Sequence, residues 1–407
     1  MILSLATTSA ALLASALAFQ TPAEPAEAPD APAADTADAP DPLRNLRRGV
    51  NLSHWYAQSL VGGYGEEHLS TYFTEADADK IRDMGFDHVR LTLNETVLFD
   101  PANPGDLKAE ELERFRGRVD MLLGRDLAVI VDLHPDGPFK ESLHDEAAVE
   151  ALAEDWAALA GSLKDVSPDV MVFEVMNEPG ESWGTVAWLP VQAKLAAAIR
   201  EAAPDHRIVV SGGSWSNAGT LPEVFPDEDV AGLTNLVYTF HMYDPFLYTH
   251  QSAEWGGAAA ASLTDVPWPV EAENEVQAEA ALAGVEGSDD ALAQLKRQAA
   301  TGRMSRAYLD GQFDWIAKWQ AAYGGPAAAP VYVGEFGVYL KAGSREDRLA
   351  YHAAVREAAE RHGFGWAIWD YAAGFGVVSG PDRTPDAEML EALGLHEGDA
   401  AATVPAQ

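Results

Sequence analysis

Apolar residues along this chain fall in short, nearly continuous runs rather than in strict alternation. Eight runs stand out: RRGVNL (47–52), DHVRLTL (87–93), LAVIVDL (127–133), VMVFEVM (170–176), RIVVSG (207–212), NLVYTFH (235–241), PVYVGEF (330–336) and FGWAIWD (364–370). Runs of this length without a polar face are expected of parallel strands covered on both sides. Helical patterns lie between them. TEADADKIRDMG opens at Thr74 with Asp77 three residues on, and closes at Gly85. SREDRLAYHAAVREAAERHG pairs Ser344 with Asp347 as a capping box and stops at Gly363. Eight strands, each followed by a helix or loop, predict an α/β fold of the (β/α)8 TIM-barrel type. The doubly wound sheet is the rival, but no Gly-rich phosphate loop follows the first strand and eight units suit closure. The unit after strand 6 is oversized. From Asp244 to about Met304 it is Ala-rich and acidic, and a loop that long reads as a lid, a cleft wall or an inert excursion.

The two ends of the chain have a different character. Residues 1–18, MILSLATTSAALLASALA, are apolar and close on Ala16-Leu17-Ala18, the small-x-small pattern of a signal peptide. They imply a secreted or periplasmic protein. Residues 19–42 are mainly Ala, Pro, Asp and Glu with no Lys or Arg, which predicts a disordered linker. The catalytic domain is expected over 43–396, followed by a disordered tail, 397–407. No other stretch has the length and apolarity to span a bilayer.

Composition narrows the chemistry. The 407 residues contain no cysteine, so disulfides, thiolate nucleophiles and Cys-based zinc sites are excluded. A formal net charge of −37 argues against nucleic acid or anionic membrane as partner, since both need cationic contacts. A neutral substrate suits it better. Nothing points to an oligomer, and a monomer is expected.

In parallel barrels, chemistry gathers where strands end at the C-terminal face. Here those ends carry Arg90, His134, Asn177-Glu178, His241 with Tyr243, Glu335 and Trp369. Unselected strand ends would be mixed turn residues; these are carboxylates, imidazoles, a guanidinium, a phenol and an indole. Two Glu side chains facing each other across the mouth suit acetal cleavage, with a carboxylate attacking the anomeric carbon while a carboxylic acid protonates the leaving oxygen. In retaining enzymes such a pair stands about 5–5.5 Å apart. If Arg90 and Tyr243 reach Glu335 they keep it ionised as nucleophile. Glu178, raised by nearby negative charge, then serves as acid and afterwards as base. Asn177 is placed to bond the sugar 2-hydroxyl.

Taken in order, GVNLSHW, FDHVRL, VIVDLH, FEVMNEP, FHMYDP, VGEFG and WAIWDY resemble the strand-end signature of the family 5 glycoside hydrolases, the cellulase-type retaining barrels. The resemblance runs from about Arg47 to Leu395. It implies that Glu178 is the acid/base, that Glu335 is the nucleophile, and that Arg90, His134, Asn177, His241 and Tyr243 support them. It makes Trp369 a platform beneath the sugar and the bond after it a non-proline cis peptide. The segment SHWYAQ after strand 1 and the long insert depart from the pattern, and both bear on which glycan is bound.

The remaining aromatics divide between stacking and packing. Trp55 and Trp215 suit either role, and His54 either orients an outer sugar or does not. Trp183, Trp188, Trp255 and Trp268 fall in segments where an exposed ring could meet a sugar, though packing is the commoner fate of each. A His134–His241–carboxylate metal site lacks a His-x-His on the first strand and a matching lysine or aspartate set, so no metal and no cofactor is expected. The function that results is a retaining endo-β-1,4-glucanase acting on β-glucan, with a β-1,3-glucanase or β-mannanase as the alternative. A non-catalytic glycan-binding barrel should have lost one of the two carboxylates.

Overall fold

The computed structural model describes residues 41–396 apart from Ala231 and Ala342; the expected signal peptide (1–18), residues 19–40 of the expected linker and the expected tail (397–407) lie outside them. Eight parallel strands close into a barrel in chain order: β1 (Arg48–Tyr56), β2 (His88–Leu93), β3 (Ala128–Leu133), β4 (Met171–Glu174), β5 (Arg207–Ser211), β6 (Leu236–Met242), β7 (Val331–Phe336) and β8 (Gly365–Ile368). Apart from a few residues at the strand ends, these are the eight apolar runs. Long helices line the outside: α1 (Glu75–Asp83), α2 (Ala109–Leu123), α3 (Glu146–Leu163), α4 (Thr185–Ala202), α5 (Arg306–Ala322) and α6 (Arg345–Arg361). Between β5 and β6 the described residues form only single helical turns.

Thr74 and Asp77 close a reciprocal capping box on α1, as the sequence predicts. At α6 only half of the box forms. Ser344 accepts from the Asp347 N–H, but the Asp347 carboxylate is turned toward the insert, where it accepts from the Trp268 N–H at 3.2 Å. The insert is a folded element. It carries short helices over Glu275–Ala281 and Asp289–Ala300, and it buries Leu263, Trp268, Leu282, Leu295 and Met304 in the main apolar cluster.

Because side chains alternate along a strand, the barrel interior is layered. Ile130, Val172, Val209, Val237, Tyr332 and Ala367 fill the lower layer, closed from below by Leu43 and Leu46. The N-terminal end of the described chain is tied to the barrel, since the Arg207 guanidinium donates to the Pro42 and Arg44 carbonyls. Two residues further up the same strands the interior becomes polar: Asp132, Glu174, Ser211 and Thr239 are all buried. Gly49 is required here, because a Cβ at that position would meet the His88 ring at 2.1 Å.

Candidate active site

Arg90 stands at the centre of the polar layer with no exposed surface. Its Nε and Nη2 fork onto the two Glu174 oxygens at 2.7 and 2.8 Å. Nη1 donates to Asn51 Oδ1 at 2.9 Å and to Glu335 Oε1 at 2.7 Å. Nη2 also reaches Asn177 Oδ1 at 3.0 Å and lies 3.0 Å from Asp132 Oδ2. Burial works against the guanidinium, but the surrounding carboxylates hold its pKa well above the ordinary value. A single fixed cation therefore organises three carboxylates and two amides.

The second chain of contacts runs from β3. His134 donates from Nδ1 to Asp132 Oδ2 at 2.8 Å, and its Nε2 accepts from the Asn177 amide at 3.1 Å. Since Arg90 can only donate, the Asn177 oxygen must face it and the NH2 must face His134. Burial lowers His134 well below the usual imidazole range, so it stays neutral. The Asn177-Glu178-Pro179 turn that ends β4 is held by the Asn177 N–H on the Leu133 carbonyl at 2.8 Å. Glu178 itself takes a left-handed backbone, φ 43°, a conformation that non-glycine residues seldom adopt outside functional turns.

Glu335 enters the site through a bulge. The register of β6 against β7 runs Phe240 to Val333 and then His241 to Glu335, so Gly334 has no partner. A Cβ on Gly334 would meet Thr239 Oγ1 at 2.7 Å and His241 Nε2 at 3.0 Å, which leaves glycine the residue that fits. The Tyr243 hydroxyl donates to Glu335 Oε2 at 3.0 Å, and burial keeps the phenol protonated far beyond neutral pH. His241 Nδ1 lies 2.7 Å from Glu178 Oε1 and 3.6 Å from Glu335 Oε2. Burial pulls His241 down to about 4, so it too is neutral. One oxygen of each glutamate and a His241 nitrogen lie within 4.8 Å of one another.

Both glutamates are pushed above the ordinary carboxylate range, and burial is the main cause for each. For Glu178 this differs from the expected cause, a negative neighbour; among the charges around it, the Lys140 ammonium pulls hardest the other way. For Glu335, Arg90 and Tyr243 both arrive as expected. Even so, burial outweighs His241 and Arg90 and lifts the carboxyl to about 7. Glu178 keeps 21% of its side chain exposed against 5% for Glu335, so the former is the more open to a ligand.

Trp369 rests one face on His134, with ring centres 5.6 Å apart and planes 20° off parallel. The Trp369–Asp370 peptide is cis, as the family resemblance implies. His54 remains partly exposed at the β1 end, its Nδ1 2.6 Å from the Gln58 carbonyl. Trp215 is half exposed at the cleft edge. Trp55 is not brought to the cleft. It is fully buried, bonds through Nε1 to the Leu69 carbonyl at 2.9 Å and packs on Phe73 and Tyr56. Trp183, Trp188 and Trp268 are buried as well, while Trp255 is 63% exposed.

A family profile for cellulase, glycosyl hydrolase family 5, matches residues 49–374. The chain belongs to glycosyl hydrolase family 5. Endoglucanase C of Acetivibrio thermocellus is 25% identical over 353 residues, covering 85% of this chain and 97% of that one. Cellodextrinase A of Ruminococcus flavefaciens is 24% identical, covering 79% and 84%. Among solved structures, Cel5A of Thermotoga maritima in complex with cellobiose superposes with a TM-score of 0.68 at 23% identity, covering 87% of this chain and 100% of that one. That likeness establishes the shared barrel. The protein is a cellulase-type glycoside hydrolase.

Sequence reasoning missed four members of this family 5 site: Asn51, Asp132, Glu174 and Lys140. The signal for two of them was present. Asp132 and Glu174 are acids inside otherwise apolar runs, two residues above inward-facing Ile130 and Val172, and a buried acid calls for a buried cation.

Proposed function

We propose that the protein is a retaining, endo-acting β-1,4-glucanase that cleaves β-glucan by double displacement. Glu335 attacks the anomeric carbon, and the bond to the leaving oxygen breaks as Glu178 delivers its proton. A glycosyl ester on Glu335 results. Glu178 then takes a proton from water, whose oxygen displaces Glu335 and restores the β configuration. The reading rests chiefly on an asymmetry of donors. Arg90 and Tyr243 both donate to Glu335, whereas Glu178 faces a neutral histidine. That difference favours charge on Glu335 and the shared proton on Glu178. The approach of the two carboxyls within 4.8 Å suits the retaining spacing of about 5–5.5 Å, and is too close for the intervening water of an inverting pair at about 6.5–9.5 Å. The relatives' names, endoglucanase above all, support the substrate class. Export to the periplasm or medium is part of the proposal, supported by the apolar 1–18 segment and its Ala-x-Ala close.

The test is reducing-end release from carboxymethyl-cellulose, mixed-linkage β-glucan, a β-1,3-glucan and a β-mannan, beside the Glu335→Gln variant. Activity on the first two that disappears in the variant is expected, with the β anomer formed first by proton NMR. Activity confined to the third or fourth would keep the mechanism and overturn the linkage; an initial α anomer would overturn the retaining scheme.

A further inference from the structure

The segment SHWYAQ, which departs from the family pattern, has a partner just beyond β8 that the reaction above does not use. β1 keeps its register against β2 from Gly49 to Leu52 and regains it only at Tyr56, opposite Leu93. Ser53, His54 and Trp55 therefore stand against Thr92 alone, a bulge that frees their side chains from strict alternation. The Ser53 hydroxyl donates to Asp370 Oδ2, and both side chains are buried.

Asp370 has no exposed surface, so its carboxylate is out of reach of a sugar in the cleft. What it grips is backbone. Oδ1 accepts from the Ala373 N–H at 3.2 Å. The Val377 N–H donates to the Asp370 carbonyl at 3.1 Å, and the Gly376 N–H to the Ala373 carbonyl at 3.0 Å. The turn closed by these bonds carries Phe375, whose carbonyl accepts from the Arg348 guanidinium of α6 at 3.0 Å. Phe375 packs on the Tyr243 ring, with centres 6.2 Å apart and planes 63° off parallel, and that phenol donates to Glu335. On the other side of Asp370, the Trp369 ring rests on His134. Gly337 lets both segments close over the end of β7: a Cβ there would collide with the Trp369 carbonyl and stand 3.0 Å from Phe375 Cδ1. A buried carboxyl is costly unless donors satisfy it. Here burial raises its pKa, opposed most strongly by the Ser53 bond.

We propose that Asp370 is a positioning residue for the attack on the anomeric carbon. Clamped by Ser53, it holds the Trp369 ring and, through Phe375, the Tyr243 donor in fixed places around Glu335. It acts through its hydrogen bonds, not its charge. The inference rests on the reading of Glu335 as the nucleophile.

Dinitrophenyl 2-deoxy-2-fluoro-β-cellobioside isolates that attack. A Glu335 oxygen bonds to the anomeric carbon, dinitrophenolate leaves with the electron pair of the broken bond, and no proton from Glu178 is needed. The fluorine delays hydrolysis of the ester. The amplitude of the dinitrophenolate burst counts competent sites, and its rate constant reports the attack within each. A variant that is only less stable loses amplitude, not rate. In Asp370→Ala the rate constant is expected to fall about 10–100-fold, the scale of a displacement near 1 Å, and in Ser53→Ala, which removes a single bond, about three- to tenfold. Asp370→Asn still accepts from Ala373 and meets the Ser53 hydroxyl, so it should recover most of the loss. Where Asp370→Ala leaves no competent sites, Ser53→Ala decides. A parent-like rate constant in either alanine variant would overturn the positioning role. So would an Asp370→Asn as slow as Asp370→Ala, since that result would assign the effect to charge. A parent protein that gives no burst would overturn the assignment of Glu335 and this inference with it.

Discussion

Replacing Arg90 by lysine keeps the charge but removes the fork. In the native site the guanidinium makes five directed hydrogen bonds, to Asn51, Glu174 twice, Asn177 and Glu335. A lysine is a point charge that cannot span them. Glu174, whose donors both come from Arg90, is left buried without them, and breaking one buried pair typically costs about 3–5 kcal/mol. Unfolding a domain of about 350 residues carries an entropy near 0.7 kcal/mol/K, so that loss lowers Tm by about 4–7 °C. The activity effect is separate and larger in proportion, because Glu335 loses its donor from below and Asn177 loses the contact that fixes its amide. Calorimetry of Arg90→Lys gives the first quantity, and kcat on mixed-linkage β-glucan gives the second. In a double-mutant cycle with Glu174→Gln, the two losses should be less than additive, since the side chains share one interaction. A Tm within 1 °C of the parent, with kcat within threefold, would refute the claim that Arg90 organises the site.

Other consequences follow from the same geometry. Both carboxyls of the proposed catalytic pair are raised by burial, Glu335 to about 7, so the pair should keep its one proton to unusually high pH; kcat/KM is expected to be bell-shaped with its alkaline limb near or above 7, and Glu178→Gln assayed on dinitrophenyl β-cellobioside should lack that limb. Carboxyls with raised folded pKa stabilise the native state fully below their unfolded values and lose that contribution as pH climbs through the folded ones, about 6 for Asp132 and about 7 for Glu335. The buried histidines, shifted down, contribute fully above about 6.5, so Tm should decline from pH ~6.5 to ~8; a rise over that interval would contradict the burial argument. Trp55→Ala should cost about 3–5 kcal/mol of stability with KM for β-glucan unchanged, and a raised KM would return Trp55 to the cleft. Activity should survive EDTA: Arg90, Tyr243 and His241 already engage the oxygens that an ion between Glu178 and Glu335 would need.

The strands were legible because nearly all of their residues are buried, so that most of each strand reads as apolar. The meeting of Glu178 and Glu335 was legible because strand ends of a barrel converge whatever the loops do. What stayed hidden depended on single backbone angles and on partners distant in sequence. By alternation, Trp55 should share a face with Asn51 and Ser53. Left-handed His54, φ 59°, breaks that alternation, and the indole packs against Phe73. Trp215 occurs in a left-handed run too, but there the break exposes it. Nothing in either local sequence distinguishes the two outcomes. Asp347 reads as half of a capping box, and only the insert, some eighty residues upstream, supplies the Trp268 N–H that draws its carboxylate away. The need for glycine at the Gly334 bulge is likewise set on the neighbouring strand, by Thr239 and His241.

The charge balance at the centre of the barrel ties the buried network to the chemistry. Asp132, Glu174, Glu178 and Glu335 stand against Arg90 and Lys140, while His134 and His241 are held neutral. Fully ionised, four carboxyls against two cations would leave two negative charges in excess, out of water. Keeping one proton on the Glu178–Glu335 pair reduces the excess to one, and the protonated member is then the acid that the proposed first step requires. The residual negative charge also has a purpose. The transition state of glycosidic cleavage develops positive charge on the sugar ring, and a fixed excess of carboxylate, set before the substrate arrives, stabilises that charge without reorganisation. Arg90 therefore serves by being insufficient: it holds the acids in place and leaves the site negative.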